Sequence, residues 1–214
     1  MFECFGLVDI DSMLYKNIHM TTVRGPIRFS GGRVFIGRAA TSGVSQEPQS
    51  PFATSNVIFR ALRELEGFAT PEPLTARTFD GIVECDGWVA FQDVEAYHLW
   101  MQATGLDMAA VARDLSSEQR DVEGLVSAEL QIGGRGRSLN TMKVDGKLSI
   151  QNANLYELPV MTDVMQGLGV REQDEQSGIS AADVLFQVRG GRILLPGIEF
   201  RGNAFSLKGN GAMS

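Results

Sequence analysis

Over residues 122–214 apolar and polar side chains alternate with a period of two, broken once by a segment of helical spacing that opens on Leu158-Pro159. Alternation of this kind predicts strands with one apolar and one polar side. Val126, Ala128, Leu130 and Ile132 make one apolar line, and Val144, Leu148 and Ile150 a second. Val184, Phe186 and Val188 make a third, which Gly190-Gly191-Arg192 turns into Ile193-Leu194-Leu195. In the interruption, Leu155, Leu158, Met161, Met165 and Leu168 fall on one helical stripe. Pro159 sits in its first turn or so, where a missing N–H costs little. The charged residues 171–176 read as a loop.

Upstream, residues 14–37 read as three strands. Ile18, Met20 and Thr22 alternate with Asn17, His19 and Thr21; Arg24-Gly25-Pro26 reads as a turn; Ser30-Gly31-Gly32-Arg33 closes a hairpin between Ile27-Arg28-Phe29 and Val34-Phe35-Ile36. The two Gly-Gly-Arg hairpins form a weak internal repeat. Residues 39–56 have no period and read as a mobile loop. Val57, Ile58, Ala61, Leu62 and Leu65 share a face of a short helix that Gly67 ends. Val83, Cys85, Val89 and Phe91 line one side of a strand opposite Glu84, Asp86 and Trp88, and Tyr97, Leu99, Met101 and Ala103 line the next. Asp107 is placed to N-cap a helix over 108–115. The expected organisation is N-terminal strands at 1–38, a mobile loop at 39–56, a helix and linker at 57–78, and a β domain at 79–214 with a helix near 154–169. The fold class is mainly β: a long antiparallel meander with two or three short helices.

Composition narrows the function classes. The chain has 214 residues, enough to bury a core, and 43% hydrophobic content, ordinary for a folded protein. A net charge of -7 argues against nucleic acid as a partner, because phosphate binding needs a basic face. No polybasic run is present to hold an anionic membrane surface. No stretch approaches the roughly 20 apolar residues of a membrane helix, and the first residues lack the features of a signal peptide. The pattern ends inside a strand, at Ser206-Leu207-Lys208-Gly209, so a piece of a longer protein is expected.

Candidate chemistry is sparse. Cys4 and Cys85 form neither a disulfide framework nor a metal spacing, although a single bridge stays open in an oxidising compartment. His19 and His98 fall on the polar sides of their strands without further ligands nearby in sequence. Gly133-Gly134-Arg135-Gly136-Arg137 matches no phosphate loop and reads as a strand connection. Glu172, Asp174 and Glu175 read as a solvated loop. Trp88 and Trp100, on the polar side, read as cross-strand packing, with an interface contact as the alternative. No cofactor, metal or catalytic constellation is called for, and an apolar surface that holds something is the simplest expectation.

One stretch resembles a known family. Gly146-Lys147-Leu148-Ser149-Ile150-Gln151-Asn152-Ala153-Asn154-Leu155 followed by Leu158-Pro159-Val160-Met161 is similar to the C-terminal region of AsmA-like proteins, as are the later strand at 182–188, the Gly190-Gly191 turn and the closing Leu207-Lys208-Gly209-Asn210-Gly211. The likeness covers about residues 80–214. It rests on turns and periods and carries no catalytic residue. Family members usually also have an N-terminal membrane anchor and a longer body, so the resemblance is to a C-terminal fragment or a truncated member. The resemblance implies a sheet curled into an open apolar trough, a β-taco, related to TamB-like and other bridge-like lipid-transfer proteins. It implies a non-enzymatic segment of a periplasmic or envelope protein, anchored in the inner membrane when full-length, that handles phospholipid or another acyl lipid in outer-membrane biogenesis. Envelope assembly proteins are the other partner class, and membrane contact would come from parts missing here. The expected groove residues are Val126, Leu130, Ile132, Val144, Leu148, Ile150, Val184, Phe186 and Val188, with Leu158, Met161, Met165 and Leu168 on a capping helix. A closed β core built from the same residues, serving as an envelope scaffold, is the alternative.

Overall fold

A computed structural model of the chain describes residues 2–42, 72–91, 96–115, 122–136, 138–153, 179–202 and 206–213. Among these, eleven antiparallel strands form one sheet. They are β1 (Glu3–Tyr15), β2 (Ile18–Ser30), β3 (Arg33–Ile36), β4 (Leu74–Thr78), β5 (Gly81–Ala90), β6 (Ala96–Asp107), β7 (Leu125–Arg135), β8 (Lys143–Gln151), β9 (Ile179–Arg189), β10 (Arg192–Gly202) and β11 (Ser206–Met213). Two helices, α1 (Arg38–Ser42) and α2 (Met108–Leu115), and a 3-10 turn at Leu139–Thr141 accompany them.

Sequence neighbours are sheet neighbours throughout, with one departure. β3 and β4 share a row: Ile36 faces Ile27 of β2 and Gly87 of β5, while Leu74 faces Cys85 and Thr75 faces Arg24 further down the same two strands. The meander therefore has ten rows, and the third is interrupted by residues 37–73. At the break, Gly37 N–H donates to the Pro26 carbonyl at 2.9 Å. The Asp86 carboxylate accepts the Arg38 backbone N–H at 2.5 Å and meets the Arg38 guanidinium at 3.1 Å, so one acid ties down the departing chain. Gly37 has φ 64 and packs against the backbone of Cys85 and Leu74, which leaves no room for a side chain.

Several expectations hold. The Gly31-Gly32 and Gly190-Gly191 turns both have two positive-φ residues, the geometry that a two-residue hairpin needs. α2 spans the expected residues, and Asp107 accepts the Ala110 N–H at 2.7 Å, as an N-cap does. Others are corrected. Arg24-Gly25-Pro26 is not a turn but the middle of β2, because Pro26, which cannot donate to a ladder, falls where the neighbouring row is broken. Thr22, at φ 52, supplies a bulge there instead. β1 begins at Glu3, well before residue 14. Residues 39–42, placed in the mobile loop, are helical together with Arg38, and 74–78, placed in the linker, are strand. Gly133, Gly134 and Arg135 belong to β7, so the connection starts only at Gly136. The helix at 57–66 and most of the 39–56 loop lie outside the described residues.

Gly87 and Gly136 separate two kinds of glycine requirement. Gly87, at φ 139, faces the His98 carbonyl so closely that a Cβ would overlap it, whereas Gly136, at φ 65, has open space around it. Gly136→Ala should cost about 1 kcal/mol, the left-handed penalty alone. Gly87→Ala should cost at least about 3 kcal/mol because the ladder itself must move. Urea denaturation of the two variants checks the difference; equal costs would contradict it.

Candidate functional site: one apolar face across nine rows

Register decides what the alternation becomes. Val126 faces Ile150, Ala128 faces Leu148, and Ile132 faces Val144 across β7 and β8. Across β8 and β9, Val144 faces Val188, Gly146 faces Phe186, Leu148 faces Val184 and Ile150 faces Ala182. Partners in an antiparallel pair point to the same side of the sheet. All nine expected groove residues, Leu130 opposite Gly146 included, therefore stand on one face. The face continues outward in both directions. Leu99, Met101 and Ala103 join it from β6, Val83, Cys85 and Val89 from β5, and Ile198, Phe200 and Leu207 from β10 and β11. Glu129, Gln131, Asp145, Lys147, Asp183 and Gln187 take the opposite face.

This apolar face is not a sealed core. Of the nine groove residues only Val144 is buried, and the other eight are half-exposed. The buried apolar residues elsewhere are mostly alanines, such as Ala153 and Ala182, which pack beside Met108, Ile150 and Phe200. Two aromatic rings lie down on this face. A Cβ at Gly146 would overlap the Phe186 ring, and one at Gly134 would meet the Tyr97 ring and hydroxyl. Each ring thus covers the glycine opposite it, filling the gap left by the missing side chain.

Cys85 stands on the same apolar face and is free, as is the exposed Cys4. Burial, and then the neighbouring Asp86 charge, push the Cys85 thiol up to about 11. It is therefore a neutral, weakly nucleophilic group at physiological pH.

The polar face is held by ion pairs and stacked cations. Arg189 grips Asp145 with both oxygens at 2.6 and 2.7 Å, Arg201 pairs with Asp183, and Arg24 pairs with Asp9 at 2.9 Å. Trp88 and Trp100 stand on this face, under Arg33 and Arg38 at 5.1 and 5.5 Å, so the tryptophans cap the sheet from its polar side. A shallow cleft of about 400 Å³ opens there too, lined by Trp100, Gln131, Asp145, Lys147, Gln187 and Pro196 among others. His19 bonds Ser12 at 2.8 Å beside the β1–β2 turn, and His98 lies on β6 toward the opposite end of the strands. Among the described residues no group of three or more His, Cys, Asp or Glu is placed to hold a metal, and no helix is long and apolar enough to cross a membrane.

Sequence reasoning named the β7–β9 part of the face but left out Leu99, Met101, Val83 and Cys85, although their alternation was visible; only the register joins them to it. The capping-helix residues Leu158, Met161, Met165 and Leu168 lie outside the described residues. No family model, curated protein or solved structure matches the chain.

Cys85 offers a direct check on the apolar face. At about pH 8 its alkylation should be at least ~tenfold slower than that of Cys4, read peptide by peptide by mass spectrometry. Equal rates would mean the face is more open than its geometry implies.

Proposed function

We propose that the apolar face is the floor of an open trough that holds the acyl chains of phospholipid or a similar acyl lipid, and that the chain is a non-catalytic segment of an envelope lipid-handling protein. The observation that carries this reading is the phase of the alternation. Nine rows in register, β2 to β11, keep their apolar sides on one face, and that face stays half-exposed. Eight inter-row spacings of about 4.8 Å give a path of roughly 38 Å across the strands. A lipid tail laid on such a floor gains up to about 0.8 kcal/mol for each methylene fully removed from water, and less where one side stays open. The floor offers many similar weak contacts, from Val83 through Leu130 and Val184 to Ile198, which suits a cargo that moves and does not lodge.

The resemblance of residues 80–214 to AsmA-like proteins points the same way, toward inter-membrane lipid transport in outer-membrane biogenesis. On this reading the protein works in the periplasm or cell envelope, with an inner-membrane anchor in its full-length form. The scaffold alternative needs the same residues sealed in a closed core, and the half-exposure of Leu130, Leu148 and Phe186 favours the trough.

Native mass spectrometry with lipid extraction tests the proposal. The protein purified from a bacterial host should carry phospholipid. The Leu148→Asp/Phe186→Asp double variant should lose at least ~90% of it while keeping its β-rich circular dichroism, because each carboxylate puts an unpaired charge in the floor. A folded, lipid-free wild-type protein would favour the scaffold.

A further inference from the structure

The sequence holds no polybasic run, yet the fold gathers one. Arg135 ends β7, Lys143 begins β8, Arg189 ends β9 and Arg192 begins β10. The register lines up Gly133, Lys143, Arg189 and Arg192 across four adjacent strands, with Arg135 two positions beyond Gly133. Arg189 is committed to Asp145. Arg135, Lys143 and Arg192 are exposed and have no ion-pair partner among the described residues. Further along the same rim, Arg33 lies over Trp88, and Glu3 is spent on Arg28 at 3.0 Å. The rim stays net positive even with Asp93 and Glu95, in the sequence between β5 and β6, counted against it, in a chain whose net charge is -7.

A second chemistry adjoins the first. One position further into the sheet, on the apolar face, stand Ile132, Val144, Val188 and Ile193. Phe91, 66% exposed, directly follows the end of β5 at the same rim. A partner that satisfies both zones is anionic at its surface and apolar just beneath. An acidic protein or a nucleic acid would meet the cations but leave the apolar mouth and Phe91 in water. We propose that this hairpin rim docks the sheet onto an anionic phospholipid bilayer, phosphates against Arg135, Lys143 and Arg192, with the apolar floor opening toward the lipid tails. This rests on the acyl-binding reading of the floor, but it makes a separate claim, about which end of the strands faces a membrane.

Vesicle flotation tests it on the full chain. Wild-type protein should float with phosphatidylglycerol-containing vesicles and not with pure phosphatidylcholine vesicles, and high salt should release it. The Arg135→Glu/Lys143→Glu/Arg192→Glu variant should lose binding by on the order of tenfold or more. A control with the same charge change away from the rim, Lys16→Glu/Arg77→Glu/Lys147→Glu, should float as wild type does. Co-purified lipid and urea stability, measured on the same samples, should be unchanged in the rim variant, so failure of the rim and failure of the floor read out separately. The proposal is overturned if wild type ignores anionic vesicles, if it binds both vesicle types equally, if the rim variant still floats, or if the control loses as much as the rim variant.

Discussion

The apolar face of this sheet depends on keeping nine rows, β2 to β11, in phase. The side-chain period of a strand is two, so a slip of one residue in any row would send that strand's apolar set to the polar face. The irregularities are informative for this reason. Between Ala103 and Leu106 the β6–β7 register shifts, and Leu106 still lands opposite Val126, back on the apolar side. Between Leu195 and Ile198 the shift absorbs Pro196 and returns Ile198 opposite Val184. Bulges here act as phase corrections and do not terminate pairing.

A single layer with one apolar face is an incomplete solution to folding, since a sheet ordinarily hides that face against another layer. Among the described residues this demand is met only in part. Alanines and Val144 are buried, aromatic rings lie flat over Gly134 and Gly146, and the larger aliphatic side chains between them stay half-exposed. The polar face carries the opposite design, with arginines paired to carboxylates across strands and stacked on Phe35, Trp88 and Trp100. Such exposed pairs are each worth about 0–1 kcal/mol, so they serve solubility and register more than stability. The asymmetry between the faces is what turns a structural element into a candidate binding surface.

The legible parts of the fold were those written locally. Gly-Gly-Arg between alternating runs predicts a hairpin because both central residues need positive φ, and Asp107 before an apolar stretch predicts a cap. The illegible parts were set by distant partners. Arg24-Gly25-Pro26 looks like a turn in isolation, and becomes strand because β1 pairs along its whole length. β1 itself hides its period: Phe5 and Leu7 fall on one side and Val8 and Ile10 on the other, so neither side reads as the core. Leu74-Thr75-Ala76-Arg77-Thr78 is too short and mixed to stand out, and is strand because it completes the row that β3 leaves unfinished. The basic rim was invisible for the same reason, since its members are scattered between residues 33 and 192. The apolar face lay in between: each line of apolar residues could be seen, while their sharing of one face needed the register.

The most direct test of the central claim is to ask which face a lipid tail touches. A phospholipid carrying a photoreactive diazirine in its acyl chain, bound and irradiated, marks the side chains beside it, and peptide mass spectrometry locates the adducts. The account predicts adducts on the Val126, Leu130, Leu148 and Val184 side of the strands, with Glu129, Gln131 and Lys147 unmarked. Adducts gathered instead in the polar-face cleft around Trp100 and Gln187, or spread evenly over both faces, would contradict it.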